Sequence, residues 1–206
     1  MMGFIDRVIA CCKNVPVLIC MNKSDILMTD DEFERFALYK KLGFDVVGVS
    51  AHSKENLDKL IEKIKGKTVS FVGQSGVGKS SLVNALLNAN QRVGDVSEKY
   101  NRGCHTTNYA LVLEGKDFTI IDTPGFREIS VPHDDVHLVA KAFPEFDDCN
   151  CTYDSCLHVN EPGCEVIERV QNGTINPDRY ESYLRILQSM EDRLPVWSRN
   201  VQKNGK

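Results

Sequence analysis

Gly73-Gln74-Ser75-Gly76-Val77-Gly78-Lys79-Ser80 follows the apolar run Val69 to Val72 and leads into Ser81-Leu82-Val83-Asn84-Ala85-Leu86-Leu87. A strand, a glycine-rich turn and a helix in that order make a phosphate cradle. The glycines let backbone N–H groups converge on the inner phosphates, Lys79 adds a point charge for the outer ones, and the Ser80 hydroxyl is placed to ligate Mg²⁺. The competing reading is a glycine-rich turn that merely opens a helix; the flanking strand and helix make it the weaker one.

Upstream, Ile5, Val8, Ile9 and Cys12 have the spacing of a buried helical stripe, so residues 3 to 13 are expected to be helical. Val15 to Met21 reads as a buried strand that delivers Asn22-Lys23-Ser24-Asp25 to the end where ligands gather in open parallel sheets. The tetrad suits guanine: an Asp25 carboxylate accepts from N1–H and the exocyclic amine, whereas adenine offers no such donor pair. Taken alone, these four letters are an ordinary turn signal, and only the preceding strand gives them weight. Residues 30 to 42 read as a helix with Phe33, Phe36 and Ala37 inward, stopped by Gly43. Asp45 to Val49 is the next strand. It ends at Ser50-Ala51, a loop whose N–H groups are suited to the guanine O6. Leu57, Leu60, Ile61 and Ile64 mark another amphipathic helix.

Downstream, residues 90 to 107 are polar and rich in loop formers, a composition that in a compact domain points to a functional loop or to disorder. They read as a first switch, with the Thr107 hydroxyl completing a Mg²⁺ shell and His105 the nearest titratable group. Tyr109 to Leu113 and Phe118 to Ile121 read as a two-strand ribbon turned at Gly115-Lys116. The second strand delivers Asp122-Thr123-Pro124-Gly125, in which Asp122 would hold Mg²⁺ and the Gly125 N–H would bond the γ-phosphate. Phe126 stands where many GTPases place a water-orienting glutamine, and a phenyl ring cannot hydrogen-bond water. Hydrolysis is therefore expected to be slow without a partner, with His105 the candidate catalytic residue.

The chain then changes character. Cys151-x4-Cys156-x-His158-x5-Cys164 supplies three thiolates and one imidazole, enough to close a tetrahedral structural Zn²⁺ site, with Cys149 a rival to Cys151. Free or paired loop cysteines are the alternative. Residues 177 to 193 read as a helix with Pro177 near its start and Tyr180, Tyr183, Leu184 and Leu187 on one packing face. Residues 149 to 206 hold seven Lys/Arg against eight Asp/Glu, and the 206-residue chain carries a net charge of −4. Neither balance supports a grip on nucleic acid by charge alone, so any RNA contact must be local or shape-driven. A hydrophobic content of 42% supports a real core, and no apolar run approaches the roughly 20 residues of a membrane span. A cytoplasmic protein without membrane contact is expected, acting as a monomer.

The guanine motifs precede the phosphate loop, the reverse of most GTPases, which makes the domain circularly permuted. Permutation is tolerated where the old termini lie close and the same strands still pack. The expected fold is α/β: a permuted G domain over residues 1–146, mostly parallel sheet flanked by helices, and a small, mainly helical zinc-binding module over 147–206. The second switch, just after Gly125, then runs into the metal module some 25 residues on, so loss of γ-phosphate contacts is expected to reach that module.

This motif order, with Arg102-Gly103-Cys104-His105-Thr106-Thr107 and His158-Val159-Asn160-Glu161-Pro162-Gly163-Cys164, resembles the ribosome small subunit-dependent GTPase A (RsgA) family across nearly the whole chain. The resemblance implies hydrolysis of GTP to GDP, stimulated by the 30S subunit during late maturation, with the zinc module docking on 16S rRNA. It implies guanine readers at Asn22, Lys23 and Asp25 and phosphate binders at Gly73, Gln74, Ser75, Gly76, Val77, Gly78, Lys79, Ser80 and Ser81. It also implies Cys151 rather than Cys149 beside Cys156, His158 and Cys164. The family pattern includes an N-terminal OB-fold domain and a six-stranded G-domain sheet. Five strands are counted here, and the missing one would lie between those carrying the phosphate loop and the guanine tetrad, so a fragment is expected. Cys104 also stands where the family commonly has a basic residue. Two other functions compete: a nucleotide-binding fragment without useful catalysis, and a zinc-dependent RNA-binding module whose nucleotide site is vestigial.

Overall fold

The computed structural model describes residues 2–12, 15–90, 111–122, 131 and 136–192. In chain order its elements are α1 (Met2–Cys11), β1 (Leu18–Met21), α2 (Asp30–Lys41), β2 (Asp45–Gly48), α3 (Leu57–Ile64), β3 (Thr68–Ser70) and α4 (Lys79–Asn90). They continue with β4 (Leu111–Glu114), β5 (Thr119–Asp122), α5 (His137–Ala140), a 3₁₀ turn (Pro144–Phe146), α6 (Glu165–Gln171) and α7 (Pro177–Glu191). Packing divides them into two compact units, Leu18–Glu128 and Met1–Val17 with Ile129–Lys206.

In the first unit β1 pairs parallel with β2, β3 pairs parallel with β5, and β4 closes the second sheet antiparallel to β5. Among the described residues these are two separate sheets, β1-β2 and β3-β5-β4. The strand that ends at Met21 and the strand that leads to Gly73 thus belong to different sheets. One core nevertheless lies beneath both sheets. Val47 and Val49 from the first and Phe118 and Ile120 from the second bury against Leu57, Leu60 and Ile64 of α3 and Leu82, Val83 and Leu86 of α4. Leu57, Leu60 and Ile64 recur at the three- and four-residue spacing that keeps one helix face inward, and burying each contributes about 1.5–3 kcal/mol.

The helix α2 is set by its ends. The Thr29 hydroxyl accepts from the Glu32 N–H while the Glu32 carboxylate accepts from the Thr29 N–H, and Gly43, at φ +87°, ends the helix as expected. Its inward face differs from the expected one. Tyr39 is fully buried, edge-on to Phe44 at 5.9 Å, whereas Phe33 is 63% exposed. At about 100° per residue, Ala37 lies about 160° and Phe33 about 120° round from Tyr39. Both therefore face solvent, and only Phe36 of the expected trio is half-buried.

In the second unit α1 packs on α7, and Ala10 joins a core of Val139, Phe143, Phe146, Val166, Ile175, Tyr183, Ile186 and Met190. Packing thus groups α1, α5 and the 3₁₀ turn with the C-terminal elements, whereas the boundary expected from sequence falls at 146/147. The cause is visible in a buried cation. Arg179 of α7 is fully enclosed; it donates to Asp6 of α1, forms two hydrogen bonds to Glu145 at 2.8 and 2.9 Å, and stacks on the Phe143 ring at 4.5 Å. A guanidinium removed from water needs such compensation on every edge, and here it comes from α1 and from the 3₁₀ turn. No helix among the described residues is long and apolar enough to cross a membrane.

Candidate functional site

In the first unit, strand ends bring three loops together. Parallel pairing of β1 with β2 sets Asn22-Lys23-Ser24-Asp25 beside Ser50-Ala51, and the Ala51 N–H donates to the Asn22 side-chain oxygen at 3.1 Å. The other half of that amide reaches the glycine loop, donating to the Val77 carbonyl at 3.0 Å and to that of Gly78 at 3.4 Å. Lys23, itself at φ +69°, donates to the Gly76 carbonyl at 3.1 Å. Gly78 lies at φ +90°, and a Cβ there would collide with the Asn22 amide, so glycine is required both for the turn and for the contact.

Asp25 is exposed, and its pKa lies below the usual carboxylate range, first because the Ser50 hydroxyl donates to it, with His52 and Lys23 adding favourable charge. Ser50 itself is buried and its oxygen accepts from the His52 and Ser53 N–H groups at 3.2 and 2.9 Å, which fixes the hydroxyl proton toward the carboxylate. A carboxylate held ionised in this way is an acceptor for a paired N–H donor. Lys79 donates to the Gly73 and Gln74 carbonyls at 2.5 and 2.9 Å, within the loop it is expected to serve. Ser80 and Ser81 are exposed on the first turn of α4, and Gln74, Ser75 and Gly76 are exposed in the loop. Asp122 ends β5, and the β3–β5 register places it at the same end as the start of the glycine loop. His105, Thr107 and Gly125, with the rest of 91–110 and 123–130, lie outside the described residues.

The second unit gathers Cys151, Cys156, His158 and Cys164, whose ligand atoms all lie within 4.8 Å of one another. The Cys151 and Cys164 sulfurs are 3.8 Å apart, and His158 Nδ1 is 3.6 and 3.4 Å from them. A tetrahedral ion with bonds of about 2.3 Å to sulfur and about 2.05 Å to nitrogen requires edges of about 3.8 and about 3.6 Å, so the donors fit such an ion. Cys149 is outside the group and its thiol donates to the Glu145 carbonyl at 3.8 Å. Burial pushes the Cys156 thiol up to about 12, raises Cys164 and lowers His158. Without a cation, a low-dielectric pocket disfavours the charged form of each group.

Four contributors escaped the sequence reading. Glu55 accepts from the Ser24 hydroxyl at 3.2 Å and its carbonyl accepts from the Ser50 N–H, joining the two loops of the first site. Glu161 accepts three backbone N–H groups around His158. Tyr180 and Tyr183, expected to serve packing, also donate to the His158 and Leu157 carbonyls, each at 2.7 Å. Only the acid in the turn His158-Val159-Asn160-Glu161-Pro162-Gly163 was a visible signal, since a carboxylate in a tight turn commonly caps nearby N–H groups.

A family model described as RsgA GTPase matches residues 2–132. The small ribosomal subunit biogenesis GTPase RsgA of Borrelia garinii subsp. bavariensis is 40% identical over 195 residues, covering 92% of this chain and 63% of that protein. Its counterpart from Haemophilus influenzae is 38% identical over 203 residues, covering 93% and 58%. The crystal structure of YjeQ from Thermotoga maritima superposes with a TM-score of 0.75 at 30% identity, over 94% of this chain and 67% of that one. YloQ, a circularly permuted GTPase, gives a TM-score of 0.73 at 24% identity over 95% and 64%, a likeness of fold. The chain thus spans about six-tenths of the length of these curated relatives.

Proposed function

The chain belongs to the RsgA GTPase family, and on that premise we propose that it binds guanine nucleotide across its three joined loops and hydrolyses GTP to GDP in small-subunit maturation. The observation that carries the reading is the Asn22 amide, which links guanine tetrad, Ser50-Ala51 loop and glycine loop into one arrangement although the chain visits them in permuted order. Asp25, kept ionised by Ser50, reads N1–H and the exocyclic amine of guanine. The N–H groups of Gly73 to Ser81 and the Lys79 ammonium hold the phosphates, which compete with the Gly73 and Gln74 carbonyls for the lysine protons. Ser80, Thr107 and Asp122 would hold Mg²⁺, which neutralises charge developing on the β- and γ-phosphates. The exposed Ser80 at the head of α4 and the position of Asp122 at the same sheet end are compatible with that shell. Gly125 would bond the γ-phosphate, and His105 would orient the attacking water.

Cys151, Cys156, His158 and Cys164 would hold one structural Zn²⁺, supported by the tetrahedral edge lengths. The small ribosomal subunit, through 16S rRNA, is the proposed partner, by extension from the relatives' printed function. A monomer in the cytoplasm suits that role. GTP turnover should rise several-fold when 30S subunits are added to the full chain, and His105→Ala should remove the rise while leaving GDP affinity unchanged. Tight GDP binding without stimulation would select the nucleotide-binding fragment, and RNA binding indifferent to nucleotide would select the zinc-dependent RNA module.

A further inference from the structure

Resting on the metal reading above, we propose that Glu161 is the positioning residue that aims His158 at the ion. His158 is the one ligand in the left-handed region, at φ +56°, where a residue with a Cβ stays only if its surroundings hold it. Those surroundings are complete on both sides. Glu161 Oε1 accepts the Leu157 N–H at 2.8 Å, and Oε2 accepts the Val159 and Asn160 N–H groups at 2.8 and 3.0 Å. The carbonyls of the same stretch go to α7, Leu157 to the Tyr183 hydroxyl and His158 to that of Tyr180. The peptide unit after the histidine is thus clamped at its N–H end by the carboxylate and at its C=O end by Tyr180, while the unit before it is held at its C=O end by Tyr183 and at its N–H end by the Cys156 sulfur. The ring then has its Nδ1 between the sulfurs of Cys151 and Cys164 and its edge against Phe146 at a centroid distance of 5.3 Å.

The carboxylate acts through geometry rather than charge. It stands outside the ligand group, and its negative charge beside three thiolates would by itself oppose their ionisation. Three backbone dipoles neutralise it, and their hydrogen bonds outweigh its partial burial to keep its pKa below the usual carboxylate range. An outer partner that fixes a ligand's direction typically governs metal affinity by about 10–100-fold.

Full-chain protein loaded with Co²⁺ tests this, because the visible ligand-field bands distinguish three thiolates plus imidazole from three thiolates plus water. Glu161→Ala should lower Co²⁺ and Zn²⁺ affinity by about 10–100-fold and shift the bands toward those of His158→Ala. Glu161→Gln, which keeps one acceptor oxygen, should fall between. Thr152→Val, which removes a neighbouring hydroxyl bond to the Gly163 carbonyl, should leave the bands unchanged. Wild-type bands and affinity in both Glu161 variants would overturn the positioning role while leaving the metal reading intact. No metal uptake by the wild-type chain would overturn both. Should the variants fail to fold, amide exchange in the wild type still decides: Leu157, Val159 and Asn160 should be protected, and exchange at unprotected rates would overturn the proposal.

Discussion

The Asn22 side-chain amide donates to the Val77 carbonyl at 3.0 Å across 55 positions of sequence, and its oxygen accepts the Ala51 N–H. One side chain therefore satisfies main-chain groups from two loops. Asn22→Ala would leave these partners to find water or stay unpaired, at about 1–3 kcal/mol for a buried group. Guanine nucleotide affinity should drop by about tenfold or more, measured by calorimetry. Gly78→Ala should be at least as damaging, because its Cβ meets the same amide and its φ is positive. Wild-type affinity in both variants would show that the loops are held by something else.

Asp25→Asn exchanges a double acceptor for an amide that donates on one side. Guanine nucleotide affinity should fall by about 10²-fold or more, and xanthine, whose C2 carbonyl accepts where guanine donates, should regain much of it. The lowered pKa of Asp25 fixes the sign of its pH dependence. Its contribution is present above the ordinary carboxylate pKa and is lost as pH falls through the lower value in the folded chain. Binding titrations from pH 7 downward should stay flat through the ordinary carboxylate range, and an early decline tracking a normal aspartate would contradict the Ser50 contact.

Metal content should separate the two rival cysteines. Cys151→Ser should lose the ion to a mild chelator, whereas Cys149→Ser should retain it, as read by metal analysis after dialysis. Burial raises the Cys156 and Cys164 thiols, so uptake must displace protons. Apparent affinity should therefore fall as pH is lowered, with measurable proton release on binding. Affinity independent of pH would argue against thiolate ligation.

Arg179→Met should strand Asp6 and Glu145 in the core and cost about 3–5 kcal/mol, the range for removing one partner of a buried ion pair. Adding Asp6→Asn should recover part of that loss. Urea unfolding midpoints check both, and a neutral Arg179→Met would mean that water reaches the pair.

Much of the first site was legible because its chemistry is local in sequence: a glycine loop announces its turn, and Asn22-Lys23-Ser24-Asp25 follows directly on a buried strand. The convergence of those loops was inferred from their order, whereas Asn22, Lys23 and Ser50 now supply named contacts. What stayed hidden depends on partners far along the chain. Asp6 and Arg179 carry no local signal of each other, and packing brings them together across 173 positions. The phase of α2 was missed because its three apolar positions suggest one face, while Tyr39 and Phe44 set another. Glu161 stands in a turn where a carboxylate commonly caps nearby N–H groups, but which groups it caps depends on how the turn folds around His158.

The break between the β1-β2 and β3-β5-β4 ladders would give the proposed nucleotide a second effect on the molecule. A ligand held by Asp25 at one end and by the glycine loop at the other would span the two sheets, which no strand ladder joins among the described residues. It would act as a removable rivet, raising resistance to unfolding by about 2.7 kcal/mol at a hundred times its dissociation constant. Cellular guanine nucleotide would then set how long the folded chain lasts, quite apart from its turnover.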